Sequence, residues 1–140
     1  MQWERGEYLI STAPEQLDLD VIHRFLSEEA YWSPGVDRDV VARSIENSLC
    51  FGLYRAGEQV GFARVVTDRA AFAWLADVFV LPAHRGHGLG KWLVETVLAH
   101  PELQGLRLFM LGTADAHSLY ERYGFRPVDP GRMMERRHDD

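Results

Sequence analysis

The sequence predicts an α+β protein of three layers (α/β/α), with helices on both faces of a mixed, mostly antiparallel sheet. Three observations support this class. Apolar residues recur at helical spacing early in the chain, strand-like runs flank a turn in the middle, and a strand–loop–helix–strand unit follows. We expect about seven strands and about four helices, all short. The length of 140 residues favours a single domain spanning residues 1–140.

The first third of the chain predicts one strand and two helices. Residues 7–11 (Glu-Tyr-Leu-Ile-Ser) have the apolar content of a short strand. Residues 18–30 and 37–48 place apolar side chains three and four positions apart, which is typical of amphipathic helices. The segment Tyr-Trp-Ser-Pro-Gly at 31–35 separates the two helices, because proline and glycine interrupt a helical pattern.

The rest of the chain alternates strands and helices. Residues 49–55 and 59–67 flank a turn at 56–58 and predict a β-hairpin, and the apolar run at 72–81 predicts the next strand. An amphipathic helix follows the glycine-rich residues 86–90 and stops near Pro101. The remaining predicted elements are a strand at 106–111, a helix at 114–123 and closing strands at 125–128 and 132–137. The strand–helix–strand unit over 72–111 implies one parallel pair.

Composition and charge argue against several function classes. No apolar run is long enough to span a membrane, and the first residues lack the features of a secretory signal. The net charge is −6, with 5 basic against 11 acidic residues over 1–60, so no basic stripe suits a nucleic-acid backbone. The acidic first part would attract a cationic partner, or it is a solvated surface. The single cysteine, Cys50, cannot form an internal disulfide, and we expect a cytoplasmic protein.

The strongest local signal is the glycine-rich segment after the strand at 72–81. Gly86, Gly88 and Gly90 precede a helix whose first N–H groups and positive dipole end attract phosphate, and Arg85 adds a positive charge. A turn with a purely structural purpose stays open as an alternative. The segment is only a weak match to a Walker A loop, because Arg85 and Trp92 stand where that motif needs a glycine and a hydroxyl. It is also not placed on the first strand of a series of βαβ units, as a Rossmann fingerprint would be.

Two motifs do match a known family. Arg85-x-x-Gly88-x-Gly90 resembles the Q/R-x-x-G-x-G/A signature of the GNAT superfamily of acetyl-CoA-dependent N-acyltransferases, and residues 77–82 look like the strand before it. Downstream, residues 116–125 (Ala-His-Ser-Leu-Tyr-Glu-Arg-Tyr-Gly-Phe) are similar to the family's A-x-x-L-Y-x-x-x-G-F motif. Thr113 departs from the asparagine that many members carry ahead of the alanine. With the matching order of elements, the resemblance covers nearly the whole chain.

The resemblance implies acetyl-CoA as co-substrate. The backbone of Phe79 and Val80 would pair with the pantetheine arm, and the amides of the glycine-rich loop would hold the pyrophosphate. A main-chain amide near Phe79 would polarise the thioester carbonyl. The implied cofactor-binding residues are Phe79, Val80, Arg85, Gly86, His87, Gly88, Leu89, Gly90, Thr113 and Tyr120. Tyr120 would also give its proton to the departing thiolate, unless it is only a core aromatic.

The acceptor side, where the amine would enter, is less defined by the sequence. Asp77 interrupts an apolar strand and is the candidate for the base or for a ligand of the substrate ammonium group, with a structural hydrogen-bonding role as the alternative. Tyr31, Trp32 and Phe51 are candidates for the acceptor pocket, although an aromatic pair in a loop also suits a cap on the core. The six histidines show no paired spacing with carboxylates, so we expect no metal site.

The sequence therefore predicts an N-acetyltransferase that moves the acetyl group from acetyl-CoA to a primary amine by direct attack in a ternary complex. The acceptor is a small molecule or a peptide, and neither a nucleic acid nor a membrane is expected as a partner. The alternative is a non-catalytic acyl-CoA-binding or sensing module, and a nucleotide-dependent kinase is a remote third reading. The oligomeric state, including a homodimer, stays open.

Overall fold

A computed structural model describes residues 1–138 of the chain. Six strands form one sheet in the order β1-β2-β3-β4-β5-β6. Their bounds are Gln2–Arg5 (β1), Tyr8–Ser11 (β2), Leu49–Arg55 (β3), Glu58–Thr67 (β4), Phe72–Val80 (β5) and Leu108–Leu111 (β6). Four α-helices accompany them in the described residues: Leu19–Arg24 (α1), Arg38–Glu46 (α2), Leu89–Ala99 (α3) and His117–Glu121 (α4).

The sheet is antiparallel from β1 to β5, and its last pair, β5 with β6, is parallel. This parallel pair is joined through α3, as the strand–helix–strand unit requires. The predicted fold class is thus confirmed, with a mixed and mostly antiparallel sheet between helices. Only the strand count differs, since the sheet has six strands rather than seven.

The difference in count has two sources. The first is an extra strand, Gln2–Arg5, which pairs with β2 around a turn at Gly6, where φ is +59°. Its polar sequence, Gln-Trp-Glu-Arg, lacks the alternation that identifies strands. The second is the C-terminal segment, because neither 125–128 nor 132–137 forms a strand. Pro127 and Pro130 remove backbone donors there, and the residues from 126 to 138 are exposed.

Each face of the sheet carries its own buried cluster, because side chains alternate along a strand. On the face covered by α3, the cluster includes Phe51 and Leu53 of β3 with Leu93 and Val97 of the helix. The opposite face is covered by α1, α2 and the π-helical turn Phe25–Glu29 that continues α1.

Candidate active site

Strands β5 and β6 separate after a short contact. Their parallel ladder runs only from the pair Phe72 and Leu108 to the pair Leu75 and Leu111. Strand β5 then continues to Val80, while the chain after Leu111 turns away toward α4. Residues 76–80 therefore have a strand neighbour on the β4 side only, and a gap opens between the two strands beyond Leu75. We call this region the splay.

Peptide groups of β5 line one wall of the splay. The amide of Leu81 donates to the carbonyl of Val60 at 2.8 Å, so Leu81 and Phe79 face β4 in this alternating ladder. The backbone groups of Val78 and Val80 then point toward the splay. This corrects the expectation for Phe79, whose carbonyl faces β4 and lies 2.9 Å from where a Cβ of Gly61 would stand. Val78 and Val80 are the residues with backbone groups available to an extended ligand.

A β-bulge interrupts β5 just before these residues. Phe62 pairs with Phe79 and Arg64 pairs with Ala76, so one residue of β4 faces two of β5, Asp77 and Val78. Asp77 takes up the extra length with φ of +54°, a conformation that aspartate tolerates better than most residues. The bulge bends the strand at the splay and re-aims the carboxylate of Asp77.

The Asp77 carboxylate joins two other elements. Its Oδ2 accepts from Nε of Arg64 at 2.7 Å, and its Oδ1 accepts from the indole Nε1 of Trp32 at 3.0 Å. Arg64 also donates to the hydroxyl of Ser48 at 3.1 Å. The Arg64 and Asp77 side chains are 17% and 12% exposed, which makes this the least exposed ion pair among the described residues. Each carboxylate oxygen thus accepts one hydrogen bond from the protein and keeps acceptor capacity for a further donor.

The loop between α1 and α2 reaches both sides of the splay. Trp32 binds Asp77 of β5, and the hydroxyl of Tyr31 accepts from the amide of Ala114, which follows β6, at 3.0 Å. The two rings contact each other edge to face with centroids 5.0 Å apart. The predicted aromatic pair thus lies beside Asp77. Because Tyr31 and Trp32 are exposed, an incoming molecule can reach them.

The glycine-rich loop forms the start of α3. Gly86 and Gly88 have φ of +86° and +73°, and Gly88 is the residue before the first helical position. The Gly88 carbonyl accepts from Trp92, while the amides of the first helical turn have no partner within the helix. This arrangement offers N–H groups and the positive end of the helix dipole to a phosphate group. His87 is exposed beside it, whereas the side chain of Leu89 is buried and only its amide is available.

Arg85 links the loop to the splay. Its Nε donates to the carbonyl of Val80 at 2.9 Å, so the guanidinium group lies at the end of β5 while the residue stays exposed. The side chain thus holds one of the outward-facing carbonyls of β5. The amide of Val80 and the backbone groups of Val78 remain for a ligand that lies along this strand.

Tyr120 lies in α4 and is 9% exposed, within the same buried cluster as Val80 and Leu89. Burial raises the pKa of its phenol, and the nearby Tyr31 and Asp115 act in the same direction. The hydroxyl therefore holds its proton at neutral pH and is suited to donate it. Tyr120 also packs edge to face against Phe125, with centroids 5.9 Å apart, so it contributes to the core as well.

Thr113 caps the turn before α4. Its Oγ1 accepts from the amide of Ala116 at 3.0 Å. A hydroxyl has one donor besides its acceptor capacity, so Thr113 keeps a hydrogen for another partner. The side-chain amide of an asparagine at the same position would offer two donor hydrogens, which is twice as many.

Phe51 does not line an acceptor pocket. It is fully buried under α3, where it packs against Trp3 and the ring of His100 at centroid distances of 6.2 and 5.6 Å. Alternation along β3 turns its side chain to the face opposite Arg64 and Cys50. The prediction that Phe51 is an acceptor residue is therefore wrong.

One cavity lies outside the splay. It encloses about 940 Å³ between β6 and the C-terminal segment, and it includes Tyr120 and Thr113 but neither Asp77 nor the glycine-rich loop. The cavity is present because the segment 125–133 lies beside β6 without pairing to it, which leaves the edge of that strand bare. The cavity touches only one corner of the candidate site.

The comparisons with known proteins now identify the family. A family model described as an acetyltransferase (GNAT) domain matches residues 46–127, which is more than half of the chain. The chain belongs to the GNAT acetyltransferase family. A solved GNAT-family protein of Xanthomonas campestris pv. campestris, provisionally assigned as an acetyltransferase, is 52% identical and covers 93% of this chain and 92% of its own, with a TM-score of 0.91.

Two further relatives are less similar. A protein of Gibberella zeae, also provisionally named an acetyltransferase, is 36% identical and covers 84% of this chain and 78% of its own. The solved ribosomal-protein-S18-alanine N-acetyltransferase of Escherichia coli is 27% identical, with a TM-score of 0.69 and coverage of 87% and 79%. Family membership thus makes this chain a GNAT acetyltransferase, as the two sequence motifs predicted. Within residues 1–138, no helix is long and apolar enough to cross a membrane.

Sequence reasoning missed Arg64 and the bulge at Asp77. Arg64 is a single charge inside the apolar hairpin strand 59–67, and that interruption was the only available signal for it. The bulge has no signature in the sequence, because Asp77 simply adds one residue to β5. Both features determine where the carboxylate of Asp77 points.

Proposed function

We propose that this chain transfers the acetyl group of acetyl-CoA to a primary amine by direct attack in a ternary complex. The observation that carries the proposal is the splay, because it presents the Val80 amide and the backbone groups of Val78 next to the glycine-rich start of α3. An extended pantetheine arm can add to β5 there as a strand would. Its pyrophosphate would then lie at the amides of Gly88, Leu89 and Gly90.

Acetyl-CoA supplies the acetyl group already activated as a thioester. The amine nitrogen forms a bond to the acetyl carbon, the carbon–sulfur bond breaks, and the sulfur takes the proton of the Tyr120 hydroxyl. The bulge supplies the backbone N–H of Val78 near this point, where it would stabilise the developing negative charge on the carbonyl oxygen. The attacking nitrogen loses two protons in all. The first leaves to water on the acceptor side of the splay before the attack, and the second, lost as the amide forms, restores the Tyr120 hydroxyl.

Asp77 is proposed to position the acceptor side and to place a negative charge there, rather than to act as the base. Its two oxygens fix it between Arg64 and Trp32, which suits a positioning role, and water is then the destination of the ammonium proton. An acidic limb in the pH profile of kcat that disappears in Asp77→Asn would return Asp77 to the role of base. If the limb persists in the variant, the positioning role is supported.

A thiol-release assay over a panel of primary amines tests the proposal. Release of CoA that depends on both acetyl-CoA and an amine, with N-acetylated product found by mass spectrometry, supports it. Calorimetry with acetyl-CoA alone measures binding separately. Tight binding without amine-dependent release across the panel would instead favour the non-catalytic acyl-CoA-binding module.

A further inference from the structure

A bare apolar surface lies on one face of the last three strands. It consists of large apolar side chains on the face that α1 and α2 cover elsewhere, and we call it the apolar platform. Val66, Trp74 and Met110 stand side by side on β4, β5 and β6, and Phe72 stands beside Leu108 in the next row. Val66 and Trp74 are 41% and 38% exposed, although each lies inside a strand.

The helices leave this part of the sheet open. On the same face, Phe62 and Phe79 are buried, and Phe25 stacks on Phe79 with centroids 4.0 Å apart. That cover ends at the row of Arg64 and Ala76, and the platform begins one row further along. Exposed apolar patches of this kind mark binding surfaces more often than isolated exposed residues do.

The platform is continuous with the acceptor side of the splay. Arg64, which holds Asp77, precedes Val66 by two positions on the same face of β4. At about 3.3 Å per residue, the backbone positions of Trp74 and Asp77 lie roughly 7–10 Å apart along β5. The Trp74 ring also reaches the loop after β6, where it lies 3.8 Å from the position of a Cβ on Gly112, two residues before the Ala114 amide that Tyr31 binds.

The size of the platform favours a small ligand over a second copy of the chain. Each large side chain of the platform has an area of roughly 150–250 Å², of which about 40% is exposed. Together these side chains offer on the order of 350 Å² of exposed surface. A stable interface buries about 800 Å² on each partner, so the platform supplies less than half of that area. A small amine with an apolar body fits both the area and the distance to Asp77.

We propose that the amine acceptor carries an apolar body of several carbon atoms, which lies on the platform while its nitrogen reaches the splay. This inference rests on the proposed acetyl transfer. The alternating apolar rows bind the body through removal of water, and Asp77 with Trp32 receives the polar end. Short polar amines are then poor acceptors, because they leave the platform in water.

The test uses the full chain with acetyl-CoA and straight-chain primary amines from ethylamine to hexylamine, which differ in apolar length but hardly in basicity. We expect kcat/KM to rise about two- to fourfold for each added methylene. Val66→Thr, which keeps the side-chain shape, should lower the ratio of kcat/KM for hexylamine to that for ethylamine by about two- to fourfold. Trp74→Gln should lower that ratio further.

Val40→Thr is the matched control, because Val40 is 44% exposed and lies on α2 outside the platform. It should leave the ratio unchanged. A kcat/KM that is flat with chain length in the unmodified protein would overturn the inference. So would sedimentation that shows a dimer dissociated by Val66→Thr but not by Val40→Thr, since the platform would then bind a second copy.

Failure of the proposed acetyl transfer gives a different result. If no amine releases thiol, calorimetric titration of the same amines into the protein with acetyl-CoA still tests the platform. Affinity that rises with chain length, and falls in Val66→Thr, would support the platform as an amine-binding surface without catalysis. Affinity that does not change with chain length would overturn it.

Discussion

Replacing Gly88 by alanine tests the phosphate-binding role of the loop, provided that backbone strain is separated from ligand binding. Gly88 has φ of +73°, which costs a residue with a side chain roughly 1–2 kcal/mol. A chain of 140 residues unfolds with an entropy near 0.3 kcal/mol per degree, so Tm without ligand should fall by about 3–7 °C. The space around an added Cβ is empty, so no clash adds to this cost.

Two other glycines provide the controls. Gly105 has φ of +70° and open space around it but lies in the turn before β6, so Gly105→Ala should lose a similar amount of Tm. Gly90 has no positive φ, and Gly90→Ala should raise Tm by up to about 3 °C, because alanine favours the helix. The family signature also permits alanine at this position.

The assay is thermal unfolding with and without acetyl-CoA. At a ligand concentration near 100 times Kd, binding adds about 2.7 kcal/mol, which corresponds to a Tm increase of about 9 °C. We expect this increase in Gly105→Ala and Gly90→Ala and a much smaller one in Gly88→Ala. An increase of full size in Gly88→Ala would refute the assignment of the loop as the phosphate site. The strain at Gly88 also means that the variant is less stable before any ligand is added.

Three further predictions concern the site and the core. Tyr120→Phe should lower kcat by roughly 10²–10⁴-fold and leave the Kd of acetyl-CoA nearly unchanged, which stopped-flow kinetics and calorimetry can separate. Gly61→Ala would place a Cβ 2.9 Å from the Phe79 carbonyl and should destabilise the fold by about 1–3 kcal/mol in urea unfolding, and an unaffected midpoint would contradict the close packing of β4 on β5. Burial lowers the pKa of His100 below 6.5, so the unfolded chain takes up the proton more readily and stability is lost as the pH falls below about 6.5. Urea unfolding from pH 7.5 to 5.5 should show a smaller decline in His100→Asn, and an equal decline would assign the effect to other groups.

The sequence identified those features that rest on local patterns. The hairpin of β3 and β4 follows from apolar runs around Ala56-Gly57, and the loop before α3 follows from its three glycines. The strand Gln2–Arg5 escaped prediction because its stability comes from pairing with β2 rather than from its own composition. The C-terminal runs were predicted as strands from their apolar content, yet the bare edge of β6 shows that no ladder forms there.

The candidate site was predictable only as a set of residues and not as an arrangement. Asp77 was identified by its charge in an apolar strand, whereas its partner Arg64 depends on which residues face each other across β4 and β5. That register includes a bulge, and one added residue exchanges the two faces of a strand. Trp32 and Phe51 show the same limit: both are aromatic, and only the tertiary fold places one beside Asp77 and the other in the core.

The loop that carries Tyr31 and Trp32 has a thermodynamic consequence for anything that enters between β5 and β6. It is bonded to Asp77 on one strand and to Ala114 beyond the other, so any widening of the gap stretches one of these two hydrogen bonds. Each bond contributes about 1 kcal/mol, and a molecule that must break both loses up to about thirtyfold in affinity. The loop thereby acts as a size filter, which favours slender molecules over bulky ones of equal apolar area.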